Sequence, residues 1–518
     1  MVSEKTSKLF DNIRGGTSDD IFSVSEGRPV SVNTLTHNVG ALYEKVRYAV
    51  DYKEEHVVRR NAITRMIKRS LGNDNLSSIG SLLLQDLVSA RYLPNNEVSE
   101  DSSKFIQAII ERYLGIIRAV GYPKVTAIEL AAAEIEYLLT PQPIDLPIAQ
   151  MFWSVAKEKI VLPDSVKEED TDRLLFLACY KCLLDEDVDG LRYALLTWKH
   201  PYVKTVKAED LSLEQIKEIE VTLDFAEKAR KNSLVNRIIN RLKNESIYFS
   251  LLREFFTQYG LGGEAVINNR EAFEAKIREM LQNVYVKRSS LINRSGGRAV
   301  LYILITKVCI ALLLEAPYEY LRYHGIDRFA LGVNILFHPL LLFLMIKTVR
   351  RPDQHNTDFV VSNVMNIVYG DTSTQKKAYI ADLKGNFVLN TIFALIYFIF
   401  YIAIFGAMIY VLRKLNFHYE SIALFAGFLA LVSFFGIRIR YKASKWIADT
   451  GRKSLFQVLF DYLSLPIVRM GKFLNEQFSS VNVFVFLLDF IIENPFKYML
   501  TNFDKLAHFL REKQEDLM

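Results

Sequence analysis

The sequence predicts an all-α membrane protein. A cytoplasmic multi-helix domain comes first, then a four-helix transmembrane region, then membrane-associated amphipathic helices. Three observations carry this. First, the composition splits near residue 298. Residues 1–298 hold 41 Lys and Arg against 42 Asp and Glu, whereas 299–518 hold 23 against 17. The net charge of +5 therefore belongs to the more apolar part. A nucleic-acid-binding protein would carry its basic excess on a polar domain, so no nucleic-acid partner is expected. Second, the segments 299–314, 329–346, 387–412 and 421–437 are nearly continuous apolar runs of about the length that crosses hydrocarbon. Third, apolar residues in 34–290 recur at helical spacing, and strand signals are sparse.

The elements follow in order. Residues 1–33 form a polar N-terminal segment without a basic and then apolar leader, so no cleavable signal peptide is expected. Within it, 21–32 is the only strand candidate. From 34 to 298 a cytoplasmic domain is expected, with amphipathic helices over 39–70, 75–92, 102–120, 124–140, 146–160 and 170–184. Ser212 and Gln215 form a capping-box pattern that opens a further helix. Helices over 246–259 and 270–287 lead to a linker at Asn293–Gly297. The transmembrane domain spans 299–453. An amphipathic tail over 454–518, kinked at Pro466, is expected at the membrane interface or under the bundle.

Orientation follows from the loops. Sixteen Lys and Arg, including Arg294, Arg298, Lys347, Arg438 and Arg440, flank one side of the four spans. Four, Arg322, Arg328, Arg413 and Lys414, flank the other. Positive-inside asymmetry then predicts a multi-pass protein of the cell (inner or plasma) membrane with both termini cytoplasmic.

Three polar residues stand inside the spans. Lys307 lies in the first, where an ionisable group marks a candidate site, although a lysine stem can also snorkel toward the cytoplasmic interface. Asn334 and His338 lie four apart in the second span and so share one helix face, just before Pro339. Glu315 is expected at the external interface. In the fourth span Ala423 with Gly427, and Ala426 with Ala430, permit close helix packing.

Outside the membrane the signals are weaker. Asp185, Asp187 and Asp189 followed by Gly190 match the opening of a calcium loop, but Leu196 stands where a bidentate glutamate is required. No confident metal site and no cofactor are expected. Cys179 and Cys182 share a face late in an apolar helix, as buried cysteines do. Gly260, Gly262 and Gly263 read as a helix end and turn. Arg59, Arg60, Arg65, Lys68 and Arg69 read as a solvated basic face. Asp353, His355, Asn356 and Asp358 are the one polar cluster in the loop after the second span.

No nucleophile elbow, zincin or phosphate-loop motif occurs. The expected function is therefore a membrane-anchored interaction or scaffold protein. It would contact membrane lipids and a protein partner, and would be able to form a homo-oligomer. The alternative is an oligomeric transporter or channel using Lys307, Asn334 and His338. A membrane enzyme acting on lipid-linked substrates comes third.

Overall fold

The computed structural model describes residues 2–14, 29–30, 55–71, 78–96, 98–140, 143–349, 352–370, 377–380, 387–448 and 455–480. These residues are overwhelmingly helical, and four helices are long and apolar enough to cross a membrane. The described residues fall into two compact units. One comprises those of Met1–Asn268 and Met365–Ala381; the other those of Asn269–Val364 and Asp382–Phe484.

The first unit begins with α1 (Glu4–Arg14), α2 (Glu55–Leu71), α3 (Ile79–Ser89), α4 (Ser102–Val120), α5 (Lys124–Leu139) and α6 (Asp145–Lys159). It continues with α7 (Glu168–Leu184), α8 (Val188–Lys199), α9 (Leu213–Lys231), α10 (Ser233–Leu242), α11 (Ser246–Tyr259) and α12 (Gly263–Asn268). The helix α4 shows why they form. Ile106, Ile109, Ile110, Tyr113, Ile116, Ile117 and Val120 recur every three or four residues and are all buried. That is a single apolar stripe facing a core shared with α2, α3 and α5. Gly121 ends α4 at φ +81°, a left-handed conformation that costs glycine nothing. The capping box is formed: Ser212 Oγ accepts from Gln215 N at 3.2 Å, and Gln215 Oε1 accepts from Ser212 N at 3.0 Å. Gly260 closes α11 as a helix end.

One feature differs from expectation. A two-residue parallel pair, β1 (Ile160–Val161) with β2 (Ala378–Tyr379), joins segments far apart in the chain. So short a pairing leaves no periodic signal. Of the 21–32 strand candidate only Pro29 and Val30 are described, and Pro29 makes an isolated antiparallel bridge to Ser99. Of the helix expected over 39–70, residues 39–54 lie outside the described residues and the remainder falls within α2.

The basic run on α2 is a solvated face only in part, with Lys68 exposed. Arg59 and Arg60 are buried. Arg59 Nη2 donates to Glu136 Oε1 and to Thr140 Oγ1, each at 2.8 Å. Arg60 Nη2 donates to Glu186 Oε2 and Asp187 Oδ1, each at 2.6 Å. Burial opposes the charge on Arg60, but the two carboxylates outweigh it and raise the guanidinium further above its ordinary value. Arg69 pairs with Asp86.

The second unit opens with α13 (Arg270–Ile310), a π turn at Ala311–Glu315 and α14 (Ala316–Tyr323), one continuous helical run. Its 54 residues measure roughly 80 Å at 1.5 Å each, against roughly 30 Å of hydrocarbon. The linker expected at Asn293–Gly297 is therefore helical. Two glycines weaken a helix, yet Gly296 is where α13 meets the next helix. A Cβ there would stand 2.8 Å from Ile346, so the missing side chain permits a close approach.

Next come α15 (Arg328–Lys347), α16 (Gln354–Tyr369), α17 (Phe387–Lys414), α18 (Tyr419–Ala443) and α19 (Leu455–Ser480). Pro339 lies inside α15 and Pro466 inside α19. The helices α13, α15, α18 and α19 pack in that succession. Along α17 no residue of the apolar window is buried, which leaves a surface suited to hydrocarbon or to another apolar face.

Close packing in this unit uses only some of the small residues noted above. Ala426 and Ala430 are buried, whereas Gly427 faces open space. A Cβ on Gly471 would stand 2.0 Å from the Ala430 carbonyl oxygen, so α19 lies hard against the middle of α18. Arg469 also stands over the Tyr397 ring of α17, 4.9 Å from its centroid. The tail residues beyond 480 lie outside the described residues.

Candidate functional site

The apolar runs that make α13, α15 and α18 leave few polar groups inside the second unit, and the packing gathers them. Lys307 on α13 is 1% exposed, Glu315 at the end of the π turn 4%, and Asn334 on α15 1%. Lys307 Nζ donates to Asn334 Oδ1 at 2.9 Å, and Asn334 Nδ2 donates to Glu315 Oε2 at 2.6 Å. Lys307 Nζ and Glu315 Oε1 form an ion pair at 3.8 Å. The ammonium also sits 4.2 Å from the centroid of the Phe428 ring on α18, a favourable place for a desolvated cation. The lysine stem does not snorkel. Its charge is met inside the unit by Asn334, a carboxylate and an aromatic face.

His338, one turn beyond Asn334, is fully buried. Its Nδ1 lies 3.2 Å from the Asn334 carbonyl oxygen and its Nε2 3.1 Å from that of Phe425. Whichever nitrogen carries the proton, the ring donates to a carbonyl of α15 or α18. The structure thus brings Lys307, Asn334 and His338 into one cluster.

Of two acidic members, Glu315 is expected from the sequence at the external interface and not in this cluster, and Glu319 escapes a sequence reading. In an unbroken α-helix Glu315 would stand roughly 80° around the axis from Lys307. The extra residue taken up by the π turn reduces this to roughly 20°. Glu319, one turn further along α14, is 4% exposed. Its Oε1 accepts from Ser421 Oγ at 3.1 Å and lies 3.7 Å from His418 Nδ1. His418 stacks on Tyr323 with centroids 3.8 Å apart. The hydroxyls of Tyr318 and Tyr323 donate to Glu420 at 3.2 and 3.3 Å. Ionisable and polar groups thus run from the middle of α13 to the α14–α18 end of the unit. Oε1 of Glu315, Oε2 of Glu319 and Nδ1 of His418 are buried without a hydrogen bond among the described residues.

The calcium-loop carboxylates have separate tasks. Asp185 ends α7 in the left-handed region at φ 55°. Asp187 caps α8 by accepting from Gly190 N at 3.1 Å while it binds Arg60. Asp189 lies 3.5 Å from Arg192, and burial raises its carboxyl above the usual range, helped by Glu129. At Gly190 a Cβ would fall 2.0 Å from Glu186 Oε2 and 2.6 Å from Arg60 Nη1, so a larger residue would have to displace this ion pair. Among the described residues no group of three or more His, Cys, Asp or Glu is gathered to hold a metal.

Cys179 and Cys182 are buried in α7, and burial pushes the Cys179 thiol up. The loop cluster after the second span is dispersed. Asn356 Nδ2 donates to Tyr285 Oη at 2.7 Å and to the Trp446 carbonyl at 3.1 Å, Asp353 caps Asn356 N at 2.8 Å, and Asp358 pairs with Arg278. No protein-family model, curated protein or solved structure matches the chain.

Proposed function

We propose that this is a membrane transport protein, a transporter or channel, in which Lys307, Asn334 and Glu315 form a proton-translocating site. The observation that carries the reading is the run of polar groups from the buried Lys307, Asn334 and Glu315 to the buried Glu319 and Ser421 and the half-buried His418. A clamp between helices needs one polar pair. Here four ionisable groups, Lys307, Glu315, Glu319 and His418, lie in sequence, and one carboxylate oxygen of each glutamate is buried without a hydrogen bond among the described residues. Four spans enclose little volume, so a working pathway calls for a homo-oligomer, with the bare apolar face of α17 available for contact. Purified full chain in liposomes should collapse an imposed pH gradient, read by an entrapped pH-sensitive dye. Leakage no faster than in protein-free vesicles would exclude the function.

The spans are read as crossing the cell (inner or plasma) membrane with both termini cytoplasmic. Reporter fusions at residues 325 and 416 should then register as external. Cytoplasmic signals at both would reverse the orientation, and with it the end of the pathway assigned to Glu319.

A second reading is a membrane-anchored interaction protein. It is favoured by the apolar core of the first unit, which gathers Val30 with residues from 62–135 and 193–223. Crosslinking of the full chain in native membranes should then recover one partner in stoichiometric yield. Recovery of abundant membrane proteins alone would count against it.

A further inference from the structure

A cavity of about 290 Å³ opens in the second unit, away from the Lys307 cluster. Gly296 of α13, Phe343 and Lys347 of α15, Arg288 of α13 and Trp446 line it. Its level follows from the helices that form it. Lys347 is the last residue of α15, and Gly296 stands just before the apolar stretch of α13. The cavity therefore sits where hydrocarbon gives way to headgroups, the level at which tryptophan and basic residues collect.

Its chemistry is divided. Arg288 and Lys347 are exposed cations at the rim. Phe343 supplies an apolar wall, with the Lys347 ammonium 5.6 Å from its ring centroid. Trp446 is only 7% exposed, and its indole N–H has no acceptor among the described residues. Among the described residues that line the cavity none is acidic. Two cations and a buried donor without an acceptor call for an anion rich in oxygen. An apolar wall at the membrane boundary calls for one attached to an acyl chain. The volume lies near the lower end, roughly 300 Å³, of small-ligand sites, which suits a headgroup and not a folded peptide.

We propose that this cavity is a binding site for the phosphate headgroup of an anionic phospholipid. It is independent of the transport reading, because none of its residues belongs to that run of polar groups. The test is native mass spectrometry of the full-length protein in a zwitterionic detergent. Phosphatidylglycerol, phosphatidylcholine of the same acyl chains and inorganic phosphate serve as the probes. Phosphatidylglycerol should be retained over phosphatidylcholine. Arg288→Ala and Lys347→Ala should each lower its retention about fivefold, the share of one basic residue at an anionic surface. Trp446→Phe keeps an aromatic ring, removes the N–H, and should also weaken retention. Both basic side chains are exposed, so melting temperatures of those variants should match the parent. Equal retention of the two lipids, or undiminished binding in Arg288→Ala/Lys347→Ala, would overturn the site. Displacement of the lipid by an equal concentration of inorganic phosphate would overturn the lipid assignment.

Discussion

Lys307→Met is expected to lower the stability of the second unit by about 3–5 kcal/mol, the usual cost of removing one partner of a buried ion pair. It should also cut proton flux more than about tenfold. The reason lies in what the substitution leaves behind. Glu315 would keep its carboxylate 4% exposed with only Asn334 Nδ2 donating to it. Glu315→Gln strands the Lys307 ammonium in the same way. The variant carrying both substitutions removes both charges, and stability should return to within about 1.5 kcal/mol of the parent. Thermal melting of the four proteins in one detergent checks this. Additive losses in the double variant would mean that Lys307 and Glu315 do not act as a pair.

Arg60→Met should produce the second large effect, a loss of about 3–5 kcal/mol from the first unit. Arg60 is 3% exposed and is the shared donor for Glu186 and Asp187. Its removal leaves the buried Glu186 with the neighbouring His56 ring, at 3.3 Å, and no other ion-pair partner among the described residues. It also frees the cap of α8, because Asp187 is held between Arg60 and the Gly190 amide. Adding Glu186→Gln should recover part of the loss, since the uncompensated charge goes with it. Tryptophan fluorescence reports on this unit directly, because Trp198 stacks on Phe176 at 4.3 Å within it. Lys104→Met, which breaks an exposed pair with Asp101, should leave the transition where it is. An Arg60→Met transition equal to that of Lys104→Met would contradict the buried cluster.

These two residues also mark what the sequence could reveal. The spans were legible because 387–412 carries no charge and hydrocarbon admits few other interpretations. Lys307, Asn334 and His338 stood out for the same reason, as polar residues inside apolar runs. Glu315 and Glu319 did not, because they fall where a span ends and acidic residues are ordinary. Only the π turn and the packing of α18, which brings Ser421 and His418, draw them inward. Arg59 and Arg60 resembled a solvated face because their partners, Glu136 and Glu186, lie 77 and 126 residues away. Gly296 and Gly297 resembled a linker because local propensity disfavours them in helices, while the contact with Ile346 is tertiary.

If the buried Lys307–Asn334–Glu315 cluster carries protons, as proposed, and does not merely fasten helices together, its two charges are required for flux. The most direct measurement is proton flux into liposomes containing the Lys307→Met/Glu315→Gln variant, which keeps the fold and lacks both charges. Parent vesicles should dissipate the pH gradient, and the double variant should leak no faster than protein-free vesicles. Parental flux in the folded double variant would show that the cluster is only a clamp.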